Sequence, residues 1–170
     1  MDPTVLQLVR LTHIVAAAFW MGTAITLGFF VYPVLLTADI GATRFVRQIM
    51  ITRRLAVFVM LAALLAVISG VYLYWGDFGK MASGPLTRRA LDYMIGGFLG
   101  IVALGVAIFV NMPTGMKMGG IVDSIGTGNL SAEQANELGR LSRKLIIATR
   151  GVAALLLGAA ALMALARYAQ

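Results

Sequence analysis

The sequence between Arg54 and Asp77 is LAVFVMLAALLAVISGVYLYWG, residues 55–76, and it contains no charged side chain. As a helix this stretch spans roughly 33 Å, enough to cross a hydrocarbon layer of roughly 30 Å. Three further apolar runs predict helices over residues 4–36, 93–112 and 145–167. Amphipathic segments are expected at residues 43–54 and 132–144. The sequence therefore predicts an all-α, integral membrane four-helix bundle that forms a single domain over residues 1–170.

The composition excludes several classes of function. Apolar residues make up 60% of the chain and charged residues 12%, against roughly 45–50% and 25% in soluble domains. The net charge of +7 lies at the ends of apolar runs, which indicates membrane topology and no nucleic-acid partner. No Asp or Glu lies inside a span, which argues against a proton-coupled transporter and a hydrolase. The absence of cysteine excludes disulfides and thiolate metal sites, and we identify no catalytic residue.

The basic residues predict the orientation of the bundle. Four crossings place both termini on the same side as the second connection, with Arg10, Lys80, Arg88, Arg89 and Arg167. The opposite side holds Arg44, Arg47, Arg53, Arg54, Lys117, Arg140, Arg143, Lys144 and Arg150. Because the richer side of a membrane protein with short loops faces the cytoplasm, we expect both termini outside. Arg150, about one turn into the fourth helix, is expected to snorkel, in a structural or a substrate-binding role.

Local signals add detail to this arrangement. The first helix is long enough to tilt or to bend at Pro33. The connection from Pro113 to Lys144 is predicted to be turn-like in its glycine-containing first half and helical in its second. Ser131 and Gln134 have the spacing of a capping box. Small residues predict packing seams or, less simply, a dimerisation face: Ala62, Ala66 and Gly70, then Gly96, Gly100, Ala103 and Ala107, then Ala154 and Gly158.

His13 is the single histidine and the main candidate for chemistry. Arg10, His13, Ala17 and Trp20 follow one another on one stripe of the first helix. The imidazole is either a hydrogen-bonded polar group of the helix or a ligand of a metal or haem. The alternating helix directions place Met94 and Met163 in the same outer third of the membrane, so both are candidate metal ligands beside His13.

A haem version of this site makes specific assignments. His13 would be the proximal ligand, and Arg10 would donate to a haem propionate. Trp20 would contact the macrocycle, and Met94 or Met163 would be the opposite axial ligand. A second group of methionines, Met112, Met116 and Met118, is expected on the other side of the membrane. Ordinary packing is the alternative interpretation of both methionine groups.

Two parts of the chain carry a resemblance to a known family. The segments are Leu11–Ile14, Phe19–Gly22 and Phe29–Pro33 in the first helix, and Arg44, Met50–Leu55 and Ser69–Leu73 in the second part. They resemble the copper-resistance protein D (CopD-like) family, and they are also similar to the related four-helix membrane protoporphyrinogen oxidases. The resemblance covers roughly residues 5 to 75 and implies a multi-pass protein of the bacterial inner membrane with periplasmic termini. Both families have a histidine in the first helix, and His13 is the residue that corresponds to it in this chain.

The resemblance leads to three hypotheses about function. The leading one is a non-enzymatic protein that binds Cu(I), or assists its passage, through His13 and methionines. The second is a protein that binds haem b, for electron transfer or haem biosynthesis. The oxidase family has a lysine in its third helix, and this chain has none between Arg89 and Lys117, which argues against the enzymatic version. The third is a ligand-free accessory subunit of a membrane complex. Besides the lipid bilayer, a second copy of the chain or such a complex is the expected partner.

Overall fold

The structure is a computed structural model that describes residues 2–37, 40–78, 87–125 and 130–168. These residues are helical almost throughout, with no strand in the described ranges. Helix α1 covers Pro3–Thr26 and continues through a π-helical turn, Leu27–Val31, into a 3₁₀ turn, Tyr32–Thr37. Helix α2 covers Ile40–Arg47 and ends in a second π-helical turn, Gln48–Thr52. The fold prediction of an all-α bundle is confirmed.

The remaining described residues form three long helical stretches. Helix α3 covers Leu55–Phe78 and is the second span. The third span begins with α4, Arg88–Val106, and passes through a π-helical turn, Ala107–Asn111, into α5, Met112–Ile125. Helix α6, Ala132–Ala166, is the fourth span. Four helical stretches of the described chain are long and apolar enough to cross a membrane, as predicted.

The four spans pack in a square. Helix α1 contacts α3 and α6, and α4 contacts the same two helices, so α1 and α4 face each other diagonally. Trp20 fills the centre of this bundle and is 2% exposed. Around it are mainly alanines, including Ala63, Ala103 and Ala153. Because apolar burial from water does not draw helices together in lipid, close approach at small residues is what makes this packing favourable.

A second apolar cluster lies where the turns that follow α1 meet α2, α5 and the first half of α6. Tyr32, Val46, Met118 and Leu141 are among its buried members. Helix α6 has 35 residues and is therefore about 52 Å long, well beyond a hydrocarbon core of roughly 30 Å. This part of the bundle therefore extends past the apolar layer. The exposed part of the whole bundle is rich in large apolar side chains, as contact with lipid requires.

The predicted turn in the first half of the third connection is wrong. Helix α5 continues as far as Ile125, and Gly115, Gly119 and Gly120 lie within it. Pro113 occupies the first turn of α5, where a missing N–H costs little. Packing against α6 and α2 outweighs the low helix propensity of the glycines. Gly126 and Gly128 lie outside the described residues.

The capping box at the start of α6 is confirmed. The Ser131 hydroxyl accepts from the Gln134 N–H at 3.2 Å, and the Gln134 side chain accepts from the Ser131 N–H at 3.0 Å. Arg47 of α2 pairs with Asp123 of α5 at 2.8 Å. This ion pair joins the short helix α2 to α5.

Candidate functional site around His13

His13 lies between α1 and α3, and its ring has a defined orientation. Its Nδ1 is 2.8 Å from the carbonyl oxygen of Ala66. Because a carbonyl only accepts, Nδ1 must carry the proton of this hydrogen bond. In the neutral ring Nε2 then keeps its lone pair. A backbone carbonyl on the opposite ring nitrogen is also the usual arrangement for a histidine that binds a metal.

Ser69 and Gly70 of α3 complete the surroundings of the imidazole. The Ser69 hydroxyl lies 3.3 Å from Nδ1 and donates to the carbonyl of Leu65. A Cβ on Gly70 would lie 2.9 Å from Cε1 of His13, so the ring fits only because residue 70 has no side chain. From the sequence alone, Gly70 is expected in a packing seam and Ser69 has no predicted role at the site. The signal that could have found them is the adjacent Ser-Gly pair in the middle of an otherwise apolar helix.

The other residues of the predicted stripe have different surroundings. Arg10 is exposed, about one turn from His13 toward the start of α1. Trp20 is enclosed by the alanine-rich centre of the bundle. Thus the structure gives Trp20 a clear packing role, and its contact with a haem stays a prediction.

The two predicted methionine ligands lie in a different part of the square. Met94 is on α4 and is exposed. Met163 of α6 lies against Gly96 of α4, where a Cβ would be 3.0 Å from its Cγ and 3.1 Å from its Cε. Since the contacts of His13 are on α3 and those of Met163 on α4, the structure places the imidazole and this thioether in separate helix interfaces. A shared metal site of His13, Met94 and Met163 stays a prediction.

The second methionine group is divided by the structure. Met112 and Met116 are exposed and lie one turn apart on α5, whereas Met118 is 5% exposed in the second apolar cluster. Across the described ranges of the chain, no group of three or more His, Asp or Glu side chains is placed to hold a metal ion. Any metal site built from these residues therefore depends on His13 together with thioethers.

Arg150 of α6 also has a specific partner inside the spans. Its Nε donates to the carbonyl oxygen of Gly28 at 3.0 Å, and its guanidinium lies 5.0 Å from the ring centroid of Phe29. In the π-helical turn the Tyr32 N–H bonds to Leu27, so Gly28 would need an N–H on residue 33. Residue 33 is proline and has none. Arg150 thus satisfies a carbonyl that this proline leaves without its helical partner.

Comparison with known protein families, with characterised proteins and with solved structures finds no match for this chain.

Proposed function

We propose that the chain is a multi-pass protein of the bacterial inner membrane, of the CopD-like class and with periplasmic termini, which binds Cu(I) at His13. The observation that supports this proposal most directly is the bond from Nδ1 to the Ala66 carbonyl, because in the neutral ring it leaves the lone pair of Nε2 available to a metal ion. Thioethers are ligands that Cu(I) prefers, and Met94 and Met163 are the nearest candidates by membrane depth.

The test is a Cu(I) titration of the detergent-purified protein against a chromophoric Cu(I) chelator. His13→Ala should abolish binding, while Thr12→Val should not change it. Thr12 is the matched control because it is adjacent and its hydroxyl donates only to Leu8 of its own helix. The proposal fails if wild type and His13→Ala bind equally, or if neither binds.

The thioether part of the proposal has its own control. Replacing Met94 and Met163 together with leucine should weaken Cu(I) binding, since leucine retains the apolar bulk and loses the sulfur. The matched pair is Met112→Leu with Met116→Leu, whose residues are exposed on α5. Equal effects of the two double variants would remove Met94 and Met163 from the ligand set.

Haem b is the second candidate, and the single fixed imidazole favours it. A haem needs only one proximal histidine, whereas a copper site needs further ligands. An absorption spectrum of the purified protein separates the two, because only haem gives an intense Soret band. Under the haem version His13→Ala loses this band, and Arg10→Ala binds haem less firmly. A colourless protein without Cu(I) binding would leave the ligand-free accessory subunit, with a co-purifying partner or second copy as its expected evidence.

A further inference from the structure

A groove of about 400 Å³ opens on the outside of the bundle beside α1, apart from His13. Phe19, Gly22 and Thr26 of α1 form its length. Ile49, from the π-helical turn after α2, and Leu55, the first residue of α3, also line the groove. Phe19 and Gly22 are exposed, so the groove opens sideways, toward the region that lipid occupies around a membrane bundle.

The polar groups inside this groove already have partners. The Thr23 hydroxyl donates to the carbonyl of Phe19 at 2.7 Å, and the Thr26 hydroxyl donates to that of Gly22 at 2.9 Å. Both hydroxyls therefore serve their own helix and offer no unused donor to a ligand. An occupant of the groove gains from apolar contact, as an acyl chain does, rather than from hydrogen bonds.

Two positive charges lie next to the residues that line the groove. Arg53 and Arg54 lie in the chain between Ile49 and Leu55, which both line the groove. Both are exposed, and the described part of the chain provides neither guanidinium with a carboxylate within salt-bridge distance. Arg54 also has a φ of 57°, a left-handed conformation that is uncommon for residues other than glycine. The two charges therefore lie in the break between the π-helical turn and α3.

We infer that this groove binds a phospholipid with an anionic headgroup. One acyl chain lies along Phe19, Gly22 and Thr26, and the phosphate lies at Arg53 and Arg54. The combination favours this occupant because a basic site at the edge of an intramembrane groove complements both parts of the molecule. The guanidinium groups supply bidentate donors for phosphate oxygens. Arg53 and Arg54 are also expected on the side of the bundle that has more Lys and Arg, where anionic headgroups attract them.

The experiment uses the full chain purified in mild detergent and titrated with phosphatidylglycerol or, with the same acyl chains, phosphatidylcholine. Native mass spectrometry reports the fraction of protein with one bound lipid. We expect clear preference for phosphatidylglycerol, and about thirty-fold weaker binding in Arg53→Gln/Arg54→Gln, since each such charge near the surface contributes about a factor of five. The matched control is Arg143→Gln/Lys144→Gln, which removes two exposed charges from α6, outside the groove. Equal losses in both double variants would mean general charge attraction and overturn the inference.

A second variant tests the acyl chain without touching the charges. Gly22→Leu should fill the groove and reduce the binding of phosphatidylglycerol, because a Cβ at residue 22 meets nothing within 4 Å and the side chain is free to enter the open space. Gly105→Leu is the control, since its Cβ also meets nothing within 4 Å and it does not line the groove. Unchanged binding in Gly22→Leu would overturn the inference even if the arginine variants failed to fold. Equal binding of both lipids to wild type would overturn it as well.

Discussion

Replacing Arg150 with methionine should destabilise the bundle by about 2 kcal/mol, with a clear structural reason. Methionine keeps much of the length of the side chain and loses the charge and the donor. The Gly28 carbonyl then has no donor from α6, and Pro33 supplies none from its own helix. The Nε–oxygen distance of 3.0 Å shows a normal hydrogen bond, so its loss should be measurable.

The magnitude follows from two contacts of the guanidinium. A hydrogen bond to a charged group contributes about 1.5–3 kcal/mol. The ring of Phe29, 5.0 Å from the guanidinium, adds about 0.5–1 kcal/mol at an exposed site. Polar contacts between membrane helices average lower, about 0.6 kcal/mol, because the unfolded state in the membrane also finds partners. Since Arg150 is exposed, the lower part of the combined range applies.

The assay is equilibrium unfolding in mixtures of sodium dodecyl sulfate and mild detergent, followed by far-ultraviolet circular dichroism. Pro33→Ala restores an N–H at residue 33, which gives the carbonyls of the π-helical turn a helical donor again. The cost of Arg150→Met should therefore fall by about 1 kcal/mol in the Pro33→Ala background. Arg143→Met, an exposed charge on the same helix, should change stability by less than about 0.5 kcal/mol. An equal cost of Arg150→Met in both backgrounds would refute the role of the proline-released carbonyl.

Gly70→Ala should lower Cu(I) affinity about tenfold in the chelator titration, because the new Cβ would lie 2.9 Å from Cε1 of His13 and would displace the ring. Unchanged affinity would show that Cu(I) binding does not depend on this position of the ring. Ser131→Ala should reduce the free energy of unfolding by about 1 kcal/mol through loss of the capping box, and an unchanged unfolding curve would show that other contacts fix this helix end. Asp123→Asn breaks the exposed pair with Arg47 and should cost less than about 1 kcal/mol, decreasing with salt; a larger loss that salt does not alter would contradict a surface ion pair.

The sequence predicted the number and nature of the helices because lipid imposes a simple constraint. Each span must satisfy its own backbone and present apolar side chains, and the run at residues 55–76 does both in a length that fits the bilayer. The ends of the third and fourth helical spans were harder to predict from the sequence. Glycines at residues 115–120 favour turns in isolation, and only packing against α6 and α2 makes that stretch helical. Local propensity therefore predicted the wrong structure where tertiary contact decides it.

For the candidate site, the sequence identified the central side chain but not its surroundings. His13 is conspicuous because it is the single histidine in an apolar helix. Ser69 and Gly70 become neighbours of His13 only through the register between α1 and α3, which periodicity within one helix does not determine. The same limit applies to Arg150. Its position suggested snorkelling, whereas its specific partner depends on a π-helical turn that sequence patterns did not reveal.

His13 and Arg150 together show how polar side chains set the register of this bundle. Each bonds to a backbone carbonyl on a neighbouring span, His13 to Ala66 between α1 and α3, and Arg150 to Gly28 between α6 and α1. In lipid such contacts fix relative height along smooth apolar helices, which packing of alanines alone defines poorly. The two side chains differ in whether a nitrogen is left for a ligand after the hydrogen bond to the neighbouring span is made. The Nε of Arg150 donates to a carbonyl that Pro33 leaves without a helical donor, whereas His13 uses Nδ1 for the bond to Ala66 and, in its neutral form, keeps a lone pair on Nε2. The ring nitrogen that the fold does not use is therefore the atom on which the proposed ligand depends.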